Sequence, residues 1–408
     1  MKHKRSQRGF HHIVLLMLVI VVAVVGFAGW KVFSKSQSGG GRDVAKILAG
    51  NGSALDKAIA AGKSLSNNKC QGTGKLTFTH LPMNQSDFGF LIPYGDVIGG
   101  HVTPIDHEYF TPAKYNSPRD SYPVYAMADA TITDIQPRTS SRGTEYRLIF
   151  THSCTSSYYY DLVTSLTSKV KQAFDSHNFN LPVKAGDQIG AIGGQTLDFA
   201  LWDTSTHLTG FVNLASYDGE AWKIYTTDPY PSYTPELRAI MIARNPRTAT
   251  PIAGKIDHDI DGKLIGNWFV VGSGGYSGTG PRDGYWKTHL SVAPDVYDPS
   301  IFVISIGDFG GQALQFIAAG NTPDPASVGV DTGLVKYNLT KYRHQKADGS
   351  QWDNMTYTKN PKPLAEGGSQ GCILVQLTAK RLLKAQSFPG KDCTSISGFD
   401  TAAKTFER

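Results

Sequence analysis

The first feature of the hydropathy pattern is a run rather than a period. Ile13 to Trp30 reads IVLLMLVIVVAVVGFAGW, apolar residues and glycines without a charge. As a helix it would span about 27 Å, close to one hydrocarbon core. Lys2, Lys4, Arg5 and Arg8 precede it with no acidic residue among them, and Trp30 stands at its far edge. This pattern predicts a cytoplasmic basic tail over 1–12, a transmembrane helix over 13–33 and an extracytoplasmic body. A cleaved signal peptide is the competing reading. The apolar core is long for one, and no small-x-small cleavage site follows it.

Beyond the run the pattern turns periodic. Residues 34–74 read as a linker and helical stalk. Ser34 to Arg42 is a Ser/Gly-rich tether, and Val44, Ile47, Leu48, Leu55 and Ile59 follow with helical spacing, interrupted at Asn51-Gly52. From 75 to about 250 short apolar alternations dominate, as in Thr131-Ile-Thr-Asp-Ile135 and Tyr146 to Thr151, and they predict strands. One helix is expected, from Tyr159 to Phe174, on the spacing of Leu162, Val163, Leu166, Val170 and Phe174. A turn-rich break falls near Arg247-Thr-Ala-Thr-Pro251. The segment 255–408 then reads as β again, with strands expected at 264–271, 301–306, 314–318, 333–338 and 372–377. The expected fold is therefore mainly β. A single N-terminal transmembrane helix leads to a small antiparallel β-barrel or sheet domain over 75–250, then to a C-terminal β-sandwich or barrel of unassigned role over 255–408.

Composition agrees with this picture. The 43 glycines and 44 aromatic residues favour strands and turns, and 40% apolar with 18% charged residues excludes disorder as a description of the whole chain. Residues 1–43 hold seven basic side chains against one acidic side chain, Asp43. That surplus equals the net charge of +6 for the entire chain, so the body is electrically neutral. A nucleic-acid-binding body is disfavoured, because neutralising phosphate needs a cationic surface. Four cysteines, Cys70, Cys154, Cys372 and Cys393, allow three pairings. Cys372 with Cys393 and Cys70 with Cys154 is the economical choice, and free buried thiols remain open.

The most informative stretch runs from Tyr122 to Gly194. Pro123-Val-Tyr-Ala126 is followed by Ala128-Asp-Ala-Thr-Ile132, then by a strand ending in Thr151-His152, then by Tyr158-Tyr-Tyr-Asp161-Leu162. It closes with Val183-Lys-Ala-Gly186-Asp-Gln-Ile189-Gly190-Ala-Ile192-Gly193-Gly194. Apolar positions there alternate with glycines able to take turn conformations. This order of motifs resembles the lysostaphin-type (LytM-like) zinc peptidases, which cut peptidoglycan cross-bridges, and the wider duplicated hybrid motif fold. The resemblance covers about residues 90–205. It implies a small rigid antiparallel domain, a bacterial source and a cell-wall setting.

The resemblance also implies zinc ligands from a His-x-x-x-Asp motif and from the second His of a His-x-His. Here Asp106 falls at the ligand Asp, while His101 lies one residue too far upstream and His107 adds an imidazole. The family's Tyr-x-His-Leu, whose His acts on the transition state, reads Tyr159-Tyr160-Asp161-Leu162. Its His-x-His strand reads Asp198-Phe199-Ala200, and Ala200 cannot bind a metal. Catalytic zinc needs about three protein ligands and an open water position, so the standard mechanism is lost. The expectation is a membrane-anchored cell-envelope protein with a degenerate centre and no cofactor, binding peptidoglycan or an envelope protein. The alternative is an active zinc endopeptidase with a rearranged site. Its candidate ligands would be His101, Asp106, His107 and Asp198, with His152 and Asp161 as catalytic candidates. A third reading is an adhesion or scaffold protein whose C-terminal module does the work.

Other constellations carry less. Asp257-His-Asp259-Ile-Asp261-Gly262 resembles half of a calcium loop, but Trp268 stands at the twelfth position where an acid is needed. Gly266-Asn267-Trp268 resembles the Gly-x-Trp of lipocalin-type barrels. Tyr158, Tyr159, Tyr160 and Trp202 could stack on sugars if exposed, though aromatics in β proteins more often fill cores.

Overall fold

Alternating β-branched and aromatic residues build two sheet systems in the chain, seen in a computed structural model that describes residues 44–140, 142–279, 284–318 and 322–408. Two helices come first, α1 (Val44–Ala49) and α2 (Ala54–Leu65), separated at the Asn51-Gly52 break. Ser53 caps α2 in a capping box with Asp56. The β part then contains β1 (Phe88–Ile92), β2 (Glu108–Pro112), β3 (Tyr122–Tyr125), β4 (Ala130–Ser140), β5 (Gly143–Ser153), β6 (Ser156–Val163), β7 (Ser165–Leu166), helix α3 (Ser168–Asp175), β8 (Leu181–Val183), β9 (Gln188–Ile192), β10 (Leu197–Asp203) and β11 (Thr226–Thr227). One sheet has the order β1-β2-β10-β6-β5-β4-β8 with β11 on β10; a second has the order β3-β9-β7. The glycine turn of the sequence motif sits between these sheets. A Cβ at Gly190 would come within 2.2 Å of the Ser165 carbonyl oxygen, and one at Gly193 within 2.0 Å of the Pro118 carbonyl oxygen.

The helix expected from Tyr159 to Phe174 is corrected. Tyr158-Tyr-Tyr160 lies in β6, paired on one side with β5 and on the other with β10, and only Ser168–Asp175 is helical. A strand held on both edges outweighs an incidental helical spacing. Its tyrosines are fully buried, as is Trp202. They form the core of this sheet and are not exposed for sugar stacking.

After helix α4 (Pro235–Ala243), eight strands form a closed antiparallel barrel. They are β12 (Gly266–Val270), β13 (His289–Pro294), β14 (Phe302–Phe309), β15 (Gln312–Ala318), β16 (Val335–Gln345), β17 (Lys362–Ala379), β18 (Leu382–Pro389) and β19 (Lys404–Glu407). Sequential neighbours pair, and β19 closes on β12 through Phe269↔Glu407 and Val270↔Phe406. Eight strands leave an interior that side chains can fill; Trp268, Leu290, Ile304, Phe316, Leu339 and Leu383 are among those inside it. The disulfides are Cys70–Cys154 and Cys372–Cys393.

The fold class and the localisation read from sequence need correction at their membrane element. Among the described residues no helix is long and apolar enough to cross a membrane. The segment 13–33, on which the single-pass anchor and the cytoplasmic N-terminus depended, lies outside the described residues. The fold is mainly β, two antiparallel sheets followed by a closed eight-stranded barrel, and the anchored single-pass description does not stand.

The two β systems touch extensively. Phe90 of β1 packs with Val296, Tyr297 and Trp352, and Arg247 donates to the Val296 carbonyl. The Gln315 side chain of β15 bonds Gly99 in both directions, accepting from its N–H at 2.9 Å and donating to its carbonyl at 3.0 Å.

Candidate functional site

Pairing across three adjacent strands sets a polar row on one face of the larger sheet. Tyr109 of β2 is opposite Asp198 of β10, and Asp198 is opposite Asp161 of β6. Directly opposed residues share a face. From the next strands Arg147 (β5) and Arg138 (β4) reach Asp161 at 2.7 and 2.6 Å. The loop before β2 carries His101, Asp106 and His107. The segment 214–225, which follows β10, brings Glu220, Trp222 and Lys223 over the same face.

At the centre is Asp106, 4% exposed. Its Oδ1 receives the Lys223 ammonium at 3.0 Å and lies 3.1 Å from Nδ1 of His107. Its Oδ2 accepts from the Trp222 indole at 3.1 Å. On its other side the His107 ring places Nε2 3.0 Å from the Tyr109 hydroxyl and 3.6 Å from Asp198. The rings of His101 and His107 are 5.8 Å apart. Lys223 also lies 3.4 Å from Glu220 and 4.2 Å from the centre of the Tyr276 ring. Tyr276 and Trp286 come from the segment that follows β12. A Cβ at Gly100 would be 3.3 Å from Trp286, so this segment lies directly over the His101 loop.

The protonation pattern follows from burial and neighbours. Burial opposes the Asp106 carboxylate, yet the Lys223 ammonium and the His107 contact hold its pKa well below the usual range. Burial likewise opposes the Lys223 ammonium, and Asp106 with Glu220 raises its pKa above the ordinary value. Asp161 is kept ionised against burial by Arg138 and Arg147. Burial and the neighbouring Asp161 charge push the Asp198 pKa well upward, against the pull of Arg138 and Arg147. Burial lowers the His101 pKa to about 3, helped by His107 and Lys223, and burial also lowers His107. Both imidazoles are neutral at pH 7. The network is internally paired: an ionised Asp106 with an ionised lysine, and an ionised Asp161 with two arginines.

The structure thus brings together five of the residues singled out in sequence: His101, Asp106, His107, Asp161 and Asp198. His152 is apart from them. It is exposed near the end of β5, with Nδ1 2.9 Å from the Asp129 carbonyl oxygen. Cys154, two residues on, is bonded to Cys70. Ala200 is buried in β10. Sequence reasoning missed Lys223, Trp222, Glu220, Arg138 and Arg147. The Trp222 and Asp106 partners are 116 residues apart in the chain, and no local pattern links them. The Asp257–Asp261 segment is structural. Asp257 accepts from the Gly210 N–H, and Asp259 accepts from the N–H groups of Val212 and Asn267.

A zinc ion does not fit this set of groups. Both Asp106 oxygens and both His107 nitrogens face partners within the network, and an ammonium stands 3.0 Å from the carboxylate oxygen a metal would need. Among the described residues no group of three or more His, Cys, Asp or Glu side chains is placed to hold a metal ion.

The sheet carrying this site holds the motif order and the glycine turn on which the sequence resemblance rests. Two solved structures are similar to the chain. One is a zinc-containing peptidase from Vibrio cholerae, at 19% identity and a TM-score of 0.24, covering 32% of this chain and 37% of that one. The other is lysostaphin, at 15% identity and a TM-score of 0.25, covering 59% of this chain and 91% of that one. The chain therefore spans a little over a third of the Vibrio cholerae peptidase. No protein-family model and no curated protein matches the sequence.

Proposed function

We propose that this chain is a catalytically silent, peptidase-like cell-wall protein. It binds peptidoglycan or an envelope protein and does not hydrolyse peptide bonds. The observation that carries this reading is the buried Asp106–Lys223 pair: the one ligand position kept from the peptidase pattern is neutralised by a lysine. Asp161 and Ala200, standing where the resemblance asks for histidines, support it further. The alternative, hydrolysis through a rearranged zinc site, would need the same donors that the network already engages. The division into a peptidase-like domain over 75–250 and a C-terminal domain over 255–408 is part of the proposal. In it the second domain covers the centre of the first, and binding uses surfaces away from that centre. The cell-wall setting rests on the resemblance, and the two disulfides suit an oxidising surrounding.

The test is incubation of the intact chain with purified peptidoglycan in the presence of zinc. The expected outcome is co-sedimentation with the polymer or retention of an envelope protein, with no soluble fragments released. Release of cross-bridge fragments that disappears in Asp106→Ala would overturn the proposal.

A further inference from the structure

We infer that Lys223 is the resident cation of this centre: its ammonium stands in for a divalent metal at Asp106 and ties the sheet to the barrel. This rests on the same ion pair as the functional proposal and goes beyond it by giving the lysine a structural role between the two units.

The argument begins with charge. Four acidic side chains, Asp106, Asp161, Asp198 and Glu220, converge on one buried region. Asp161 has two guanidinium partners at 2.6 and 2.7 Å. Asp198 is adjacent to Asp161 across the strand pair. Asp106 is a separate buried carboxylate beside His107, and without a cation it would be strongly unfavourable. Lys223 supplies the cation at 3.0 Å, and the lysine is itself only 5% exposed.

The geometry shows why this lysine is held in place. Its ammonium lies over the Tyr276 ring at 4.2 Å, a cation–π contact worth more when water is excluded. Tyr276 in turn packs on Tyr217, with ring centroids 6.2 Å apart. The two backbones are in close contact as well. A Cβ at Gly275 would be 2.3 Å from the Ser216 carbonyl oxygen, and one at Gly219 would be 1.7 Å from the Ser277 hydroxyl. One ammonium therefore has its anion in the sheet unit and its aromatic face in the barrel's first loop. A metal held by the loop and strands alone would make no such contact with the second unit.

The experiment uses the intact chain and three variants: Lys223→Met, Asp106→Asn and the double variant. Each is measured for bound zinc after dialysis against excess zinc, and for thermal midpoint with and without zinc. The wild type is expected to hold no stoichiometric zinc and to show a zinc-independent Tm. Lys223→Met should lower Tm by about 5 °C, because it leaves an uncompensated buried carboxylate. The double variant should recover much of that loss, since it removes both charges. About one zinc per wild-type chain, lost in Asp106→Asn, would overturn the inference. So would effects of the two single variants that merely add. The zinc measurement on the wild type decides the matter even if a variant fails to fold. The two proposals also fail separately. Cleavage of peptidoglycan by a zinc-free wild type would refute the silent-enzyme reading and leave Lys223 as resident cation. Bound zinc without cleavage would refute only the present inference.

Discussion

Arg408 offers a sharp test of how the barrel is closed. Its guanidinium donates to the carbonyls of Ile265 and Ile260 at 2.6 Å and to that of Lys263. It lies 4.0 Å from the Trp268 ring centre and 3.8 Å from Asp259, and the residue is 3% exposed. It therefore joins the end of β19 to the entry of β12. Bonds from a charged donor are worth about 1.5–3 kcal/mol each, and a desolvated cation–π contact about 2 kcal/mol. Burying the guanidinium offsets much of that sum. Arg408→Ala is thus expected to cost about 3–5 kcal/mol, or roughly 4–6 °C in Tm for a chain of this size. Arg408→Lys should recover less than half, because one ammonium cannot serve three carbonyls in the geometry of a planar fork. The measurement is thermal unfolding followed by near-ultraviolet circular dichroism, with Trp268 as an internal reporter. A stability for Arg408→Ala within about 1 kcal/mol of wild type, below the worth of a single charged hydrogen bond, would refute the reasoning.

Two further substitutions separate packing from propensity and from titration. Gly62→Ala should destabilise although alanine is the better helix former by roughly 1 kcal/mol, because its Cβ would lie 1.7 Å from the Cys154 carbonyl oxygen. Urea unfolding should show a loss of about 2 kcal/mol, and a gain would mean that α2 is not seated against that carbonyl. Burial raises the Glu220 pKa from 4.5 to about 7, so the folded chain keeps this proton longer than the unfolded chain. Its contribution to stability therefore falls as pH rises from 4.5 through 7. Glu220→Gln should flatten the Tm-against-pH curve in that window relative to wild type; unchanged curvature would count against the buried acid.

Strand positions were legible where one face is buried and the pattern is local. Thr131–Ile135, Tyr146–Thr151 and the strands after Leu264 all occur within observed strands or close to their ends. The glycine turn at 186–194 was legible because its glycines have backbone reasons, among them the positive φ of Gly186 and Gly194. The Tyr159–Phe174 helix was misread because periodicity cannot see that β6 has a neighbour on each edge. The candidate site was half legible. His101, Asp106, His107, Asp161 and Asp198 could be found from a motif pattern, since each stands at or next to a patterned position. Lys223 could not, because its role exists only once the segment after β10 folds back over the loop before β2. The Gly266-x-Trp268 signal gains its meaning from Arg408, a partner 140 residues and more beyond it in the chain.

The order of these parts along the chain sets a schedule for synthesis. Asp106 and Lys223 both emerge before Tyr276, which lies over Lys223, and before Trp286, which lies against the loop of His101. At about 5–20 residues per second, the fifty or so residues between Lys223 and Tyr276 take several seconds to appear. During that interval the half-built centre is open to water and to any divalent ion in its surroundings. A lysine encoded ahead of the cover lets the centre neutralise itself within the first unit. The later segment then closes over a site in which Asp106 already has its cation.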